Sequence, residues 1–182
     1  MKVVQDKMIL PDLTICNCYF EENIMLIKPE KKYLLFFILL IVIFTACDSN
    51  RVFDENKTVE NGKWKVNNKF RFDVPVEDIL SRYDFYLYVR NAVDYPFSNL
   101  FLFITTIFPN GQLSRDTVEL TLAGYDGRWL GSGMGSVKYN QFLFQKGVMF
   151  RQKGKYSFEF EQAMRVNELK GIQDIGLRIE KE

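Results

Sequence analysis

The chain has 182 residues, 47% of them hydrophobic and 26% charged, with 24 Lys+Arg against 23 Asp+Glu. A near-neutral chain without a long basic run offers no electrostatic case for nucleic acid. The absence of histidine removes the usual base of serine and cysteine triads and most zinc sites.

Residues 1–24 do not fit a signal peptide, whose basic region is short. Cys16 and Cys18 are two ligands without partners, too little for a metal site. The reading that fits better is an N-terminal extension ahead of a true start at Met25. Lys28, Lys31 and Lys32 then precede Tyr33–Phe44, an unbroken apolar run that leads into Thr45-Ala46-Cys47. A basic start, an apolar core and small residues at the exit make a secretory signal over residues 25–46. The run is about a dozen residues, short of the roughly 20 a spanning helix needs. Phe44-Thr45-Ala46-Cys47 matches a bacterial lipobox with Phe in the place of the usual Leu. Cleavage before Cys47 would leave its thiol carrying a diacylglyceryl group.

Residues 47–182 amount to one domain, long enough for a core. With Cys16 and Cys18 upstream and Cys47 lipidated, that domain has no disulfide. The 17 Phe and 9 Tyr of the chain favour strands. Residues 47–66 read as lipid anchor and tether with a first strand at Val52-Phe53, then a loop from Glu55 to Gly62. Residues 67–182 read as the main domain. Phe70, Phe72 and Val74 alternate with Arg71 and Asp73, a half-buried strand ended by Pro75. Glu77–Ser81 is expected to make one helical turn. Phe85, Leu87 and Val89 alternate with Tyr86, Tyr88 and Arg90, while Leu100–Phe108 is apolar on both faces, as a central strand covered on both sides would be. Asn110-Gly111 is a hairpin turn into a strand around Asp116–Ala123. Further strands are expected at Val137–Gln145 and Val148–Gln152, around Phe158, and over Ile175–Ile179, with turns at Lys146-Gly147 and Lys153-Gly154. The whole is an all-β fold: an antiparallel β-sandwich, with the jelly roll as its eight-stranded form.

Chemistry-bearing residues are few. Asp126, Glu159 and Glu161 are the acids available for a carboxylate pair, but Glu159 and Glu161 alternate with core residues and read as a solvated strand face. The reading is therefore not an enzyme, with no metal and no cofactor. Residues 124–135 hold five glycines and lack the Lys-Ser/Thr of a phosphate-binding loop. Glycines at 131, 133 and 135 would let another surface approach the main chain. Tyr125, Arg128 and Trp129 add apolar area and a carboxylate-matching donor. Together Tyr125, Arg128, Trp129, Gly131, Gly133 and Gly135 form the candidate binding surface. The competing reading folds Trp129 back into the core. Tyr125, Trp129 and Trp64 are also the aromatics from which a sugar platform could be built. Thr117, within Asp116-Thr117-Val118, matches an Asp-Ser/Thr-aliphatic O-glycosylation pattern and is expected to face outward.

The stretches Gly127–Ser136, Tyr139-Asn140-Gln141, Tyr156–Arg165 with Asn167 and Leu169, and Gly176–Lys181 resemble the GldH family of gliding-motility lipoproteins, along essentially the whole mature chain. The resemblance implies a Bacteroidetes-type cell and a lipoprotein required for gliding where gliding occurs, in an envelope system that shares components with type IX secretion. It implies no enzymatic activity and no cofactor. The expected role is that of a non-catalytic assembly or stabilising partner of envelope proteins, with a glycan- or peptidoglycan-binding module as the alternative. The lipid on Cys47 would hold it to a membrane. Asp48 stands alone behind the cysteine, without the acidic residues of a surface-export signal, which favours the periplasmic face of the outer membrane.

Overall fold

The computed structural model describes Tyr33 and residues 50–182. Met25, the signal run, Cys16, Cys18 and Cys47 lie outside the described residues, as do the expectations placed on them. Ten strands follow in order: β1 (Arg51–Thr58), β2 (Lys63–Lys65), β3 (Phe70–Val76), β4 (Tyr83–Ala92), β5 (Asn99–Ile107), β6 (Leu113–Thr121), β7 (Val137–Val148), β8 (Gly154–Gln162), β9 (Glu168–Lys170) and β10 (Ile172–Lys181).

Eight of them build two antiparallel four-stranded sheets, ordered β1-β10-β4-β7 and β3-β8-β5-β6. Setting aside the short β2 and β9, the pairing is nested: β1 with β10, β3 with β8, β4 with β7, and β5 with β6. That nesting is one long hairpin rolled over on itself, which is the jelly roll. The all-β sandwich expected from the alternation is what forms.

The inner faces carry the alternating apolar residues. Phe70, Phe72, Val74 and Val76 of β3, Phe85, Leu87 and Val89 of β4, Tyr156, Phe158 and Phe160 of β8, and Ile175, Leu177 and Ile179 of β10 are all buried. Phe85 lies 5.7–5.8 Å from the rings of Phe144, Phe150 and Phe158. β2 and β9 close one end. Trp64 pairs with Leu169, and both are fully buried. The Trp64 indole donates to the Asn68 carbonyl at 2.8 Å, as a buried N–H requires. At the other end Asp78 gathers the Leu80 and Ser81 amides, the Ser81 hydroxyl and Lys181. Those donors hold its carboxyl far below the usual carboxylate range, the Lys181 ammonium above all.

Several local expectations change. The loop expected from Glu55 is strand as far as Thr58, because β1 is an edge strand pairing only with β10. Charged and polar residues suit such an edge. Gly176 makes room for it, since a Cβ there would sit 1.9 Å from the Asn56 side-chain oxygen. Pro75 does not end β3, which continues to Val76. β3 is also an edge, where a missing N–H is tolerated. Glu77–Ser81 is an Asp78-anchored turn and not a helical one. Lys146-Gly147 is not a turn either. β7 runs through it, and the Gly147 amide donates to Asp84 at 2.8 Å. β5 is central in its sheet, but only its inner face is sealed. Phe101 and Phe103 on the outer face are half-buried, with the Arg115 guanidinium 4.4 Å over the Phe103 ring.

Beside them lies a cross-strand ion network. Lys69 reaches Glu161 (2.9 Å) and Glu159 (3.7 Å), and Arg71 reaches Asp73 (2.8 Å) and Glu159 (3.6 Å). The Ser157 hydroxyl, then Arg71, hold the Asp73 carboxyl at about 2. Glu159 and Glu161 are therefore partners in a cation network on the outer face.

Candidate functional site

The connection between β6 and β7 folds into two consecutive tight turns. In the first, the Gly124 amide donates to the Arg128 carbonyl and the Gly127 amide to the Gly124 carbonyl, at 2.8 and 3.0 Å. Gly127 takes a φ of 77°, which glycine adopts at no steric cost. Asp126 accepts the Arg128 amide at 3.1 Å and lies 3.4 Å from its guanidinium. This tip leaves Tyr125 fully exposed and Arg128 88% exposed. In the second turn, Ser132 and Tyr139 exchange backbone hydrogen bonds of 2.8 and 2.9 Å, and Lys138 donates to the Gly133 carbonyl at 2.7 Å. Both ends are tied down: the Leu130 amide bonds the Leu122 carbonyl, and Ala123 bridges Trp129.

The six expected residues divide into three groups. Tyr125 and Arg128 stand exposed at the first tip, Arg128 beside Asp126. Trp129 is half-buried and leans back on the core, its ring 6.3 Å from that of Tyr95. Burial pushes the Tyr95 phenol far above its ordinary pKa, and its hydroxyl donates to the Asn99 carbonyl at 2.9 Å. The three glycines do different work. Gly131 is required inside the protein, since a Cβ there would lie 2.6 Å from the Asn140 side-chain oxygen and 2.8 Å from the Tyr139 carbonyl. Asn140 is buried and donates to Asn91 at 2.8 Å. Gly133 and Gly135 adopt φ of 116° and 90°, and only at Gly135 is the space around a Cβ open.

Two exposed apolar side chains join the surface without having been expected there: Leu130, 64% exposed, and Met134, fully exposed. Their glycine neighbours were the available signal. Tyr139, next to the second turn, stacks on Tyr88 at 5.4 Å, and burial raises its phenol to about 12. The three-aromatic sugar platform does not exist, because Trp64 is fully buried at the end closed by β2 and β9. Thr117 is exposed on the outer face of β6, opposite Phe103.

A jelly-roll domain preceded in sequence by the apolar run and cysteine described above fits the envelope lipoprotein class. The comparisons give the particular family. Residues 51–179 match the family described as GldH lipoprotein, and the chain belongs to that family. It is 38% identical over 152 residues to the gliding motility lipoprotein GldH homolog of Christiangramia forsetii, an alignment covering 80% of this chain and 93% of that one. It is 36% identical over 151 residues to the gliding motility lipoprotein GldH of Flavobacterium johnsoniae, covering 79% and 93%. Among solved structures, dimeric latent PorU from Porphyromonas gingivalis aligns with 73% of this chain and 13% of its own, at 11% identity and a TM-score of 0.26. A likeness that low carries no argument.

Proposed function

We propose that this lipoprotein is a non-catalytic assembly or stabilising partner in the gliding and type IX secretion-associated envelope machinery. Acylated Cys47 holds it at the periplasmic face of the outer membrane, and the β6–β7 connection engages a protein partner. The observation that carries this reading is the loop itself. Tyr125, Leu130 and Met134 are exposed large apolar side chains on turns whose backbone is pinned by hydrogen bonds at both ends. Exposed apolar area on a fixed frame is what an interface core requires, and preorganisation lowers the cost of binding. Arg128 beside Tyr125 supplies a guanidinium suited to a carboxylate. Thr117 lies exposed on the outer face of β6, open to a glycan.

Two measurements in the native host test the reading. Cys47→Ala should abolish lipid labelling and release the protein from the membrane. A photocrosslinker placed at Met134 should capture a defined envelope protein. Persistence of the label in Cys47→Ala would refute the anchoring, and capture of nothing specific would refute the partner role.

A further inference from the structure

The two sheets are not sealed along the side where β6 and β7 form their edges. A cleft of about 500 Å³ enters there, beneath the β5–β6 hairpin. That is within the size range of small-ligand pockets. Its floor is aromatic: Phe108 is half-buried and lines the opening, over Phe150, Tyr156, Phe158 and Phe85, which are all buried. These rings brace one another: Phe150 and Tyr156 at 4.7 Å, Phe108 and Tyr156 at 5.7 Å, Phe85 and Phe158 at 5.7 Å.

The walls are of another kind. The inward row of β5 reads Leu100, Leu102, Ile104, Thr106, and the row opposite on β6 reads Leu120, Val118, Asp116, Ser114. Both rows begin as core and turn polar where the cleft opens. On β7 a register shift pairs Gln145 with the buried Phe85 and brings Gln145 into the lining. Among the described residues, the side chains of Thr106, Ser114, Asp116 and Gln145 have no hydrogen-bond or ion-pair partner in the protein. The acids on the outer face, Asp73, Glu159 and Glu161, are all paired. Asp116 and Gln145 are exposed and Thr106 and Ser114 half-buried, so solvent reaches all four. What these four offer is hydrogen bonds to an occupant.

The lining also fixes the class of occupant. It holds one carboxylate, Asp116, and one guanidinium, Arg151, so it has no net charge with which to select an anion or a cation. An acyl chain would strip water from the hydroxyl and amide groups without replacing its hydrogen bonds. A sugar matches both halves, with a C–H face for the Phe108 ring and hydroxyls for the polar wall. We propose that the cleft between β6 and β7 binds a neutral mono- or disaccharide, seated on Phe108 and hydrogen-bonded by Thr106, Ser114, Asp116 and Gln145. This site lies apart from the β6–β7 loop and does not depend on the partner reading.

The test is calorimetric titration of the full lipidated chain in phosphatidylcholine nanodiscs with cellobiose, mannobiose and N,N′-diacetylchitobiose. At least one should bind saturably. Gln145→Leu and Ser114→Ala, each melting as the parent does, should weaken it about tenfold, the worth of one lost hydrogen bond. Thr121→Ala, on the outward face of β6, should leave it unchanged. Binding of none of the three sugars would overturn the proposal. Binding that survives both cleft substitutions would do so too, by placing the sugar elsewhere.

Discussion

Phe158→Ala should destabilise the domain by about 3–5 kcal/mol, the cost of emptying a buried phenylalanine site. Phe158 lies at 4% exposure on β8, between β3 and β5, with its ring T-shaped against Phe85. Phe85 in turn packs on Phe144 and Phe150, so the truncation loosens the aromatic centre of the sandwich. Close-packed rings fixed by both sheets have little freedom to collapse into the space. The adjacent Glu159 points to the opposite face, where Lys69 and Arg71 sit half in solvent. Glu159→Ala should therefore cost under about 1 kcal/mol. Thermal unfolding followed by circular dichroism reads both. Equal losses would mean that the β3–β8 register, with Phe72 opposite Phe158, is wrong.

Gly131→Val should be nearly as damaging, for the opposite reason. A Cβ at this position meets the Asn140 side-chain oxygen at 2.6 Å and the Tyr139 carbonyl at 2.8 Å. Backbone cannot yield cheaply, and Asn140 is held by Asn91 and the Val89 carbonyl. Overpacking costs about 1–3 kcal/mol, and stripping the buried amide of its partner adds about 1–3 kcal/mol. Gly135→Ala meets no neighbouring atoms and bears only the strain of a φ of 90°, about 1–3 kcal/mol at most. Chemical denaturation of the two variants should rank Gly131→Val as clearly the weaker protein. The reverse order would place the loop's tight packing at the wrong glycine.

Period-two alternation made the strands of both sheets legible, because a strand with one buried face writes that face into every second residue. It was silent where the burial is incomplete. Beyond Phe53, β1 reads as loop because an edge strand has few neighbours to satisfy and carries Glu55, Asn56 and Lys57. The roles within the glycine stretch were not legible either. Composition shows that residues 124–135 cannot be regular structure, but whether a glycine admits a partner or its own protein depends on Asn140, a residue in another strand. The cleft was hidden for a similar reason. Ser114 and Asp116 fall in the same alternating row as Val118 and Leu120, but only the pairing with Thr106 and Ile104 and the register shift at Gln145 show that polar groups gather at one opening. Trp64 and Trp129 were indistinguishable as aromatics in sequence, and only the β2–β9 closure buries the first.

The central claim is that the β6–β7 connection is the working surface of a lipid-anchored jelly roll. Leu130→Asp tests it most directly, because Leu130 is 64% exposed and its replacement should change stability by less than about 0.5 kcal/mol. In the native host, with the crosslinker at Met134 and lipidation intact, this variant should lose capture of the envelope partner while melting as the parent does. Undiminished capture by a Leu130→Asp protein of unchanged melting temperature would contradict the account.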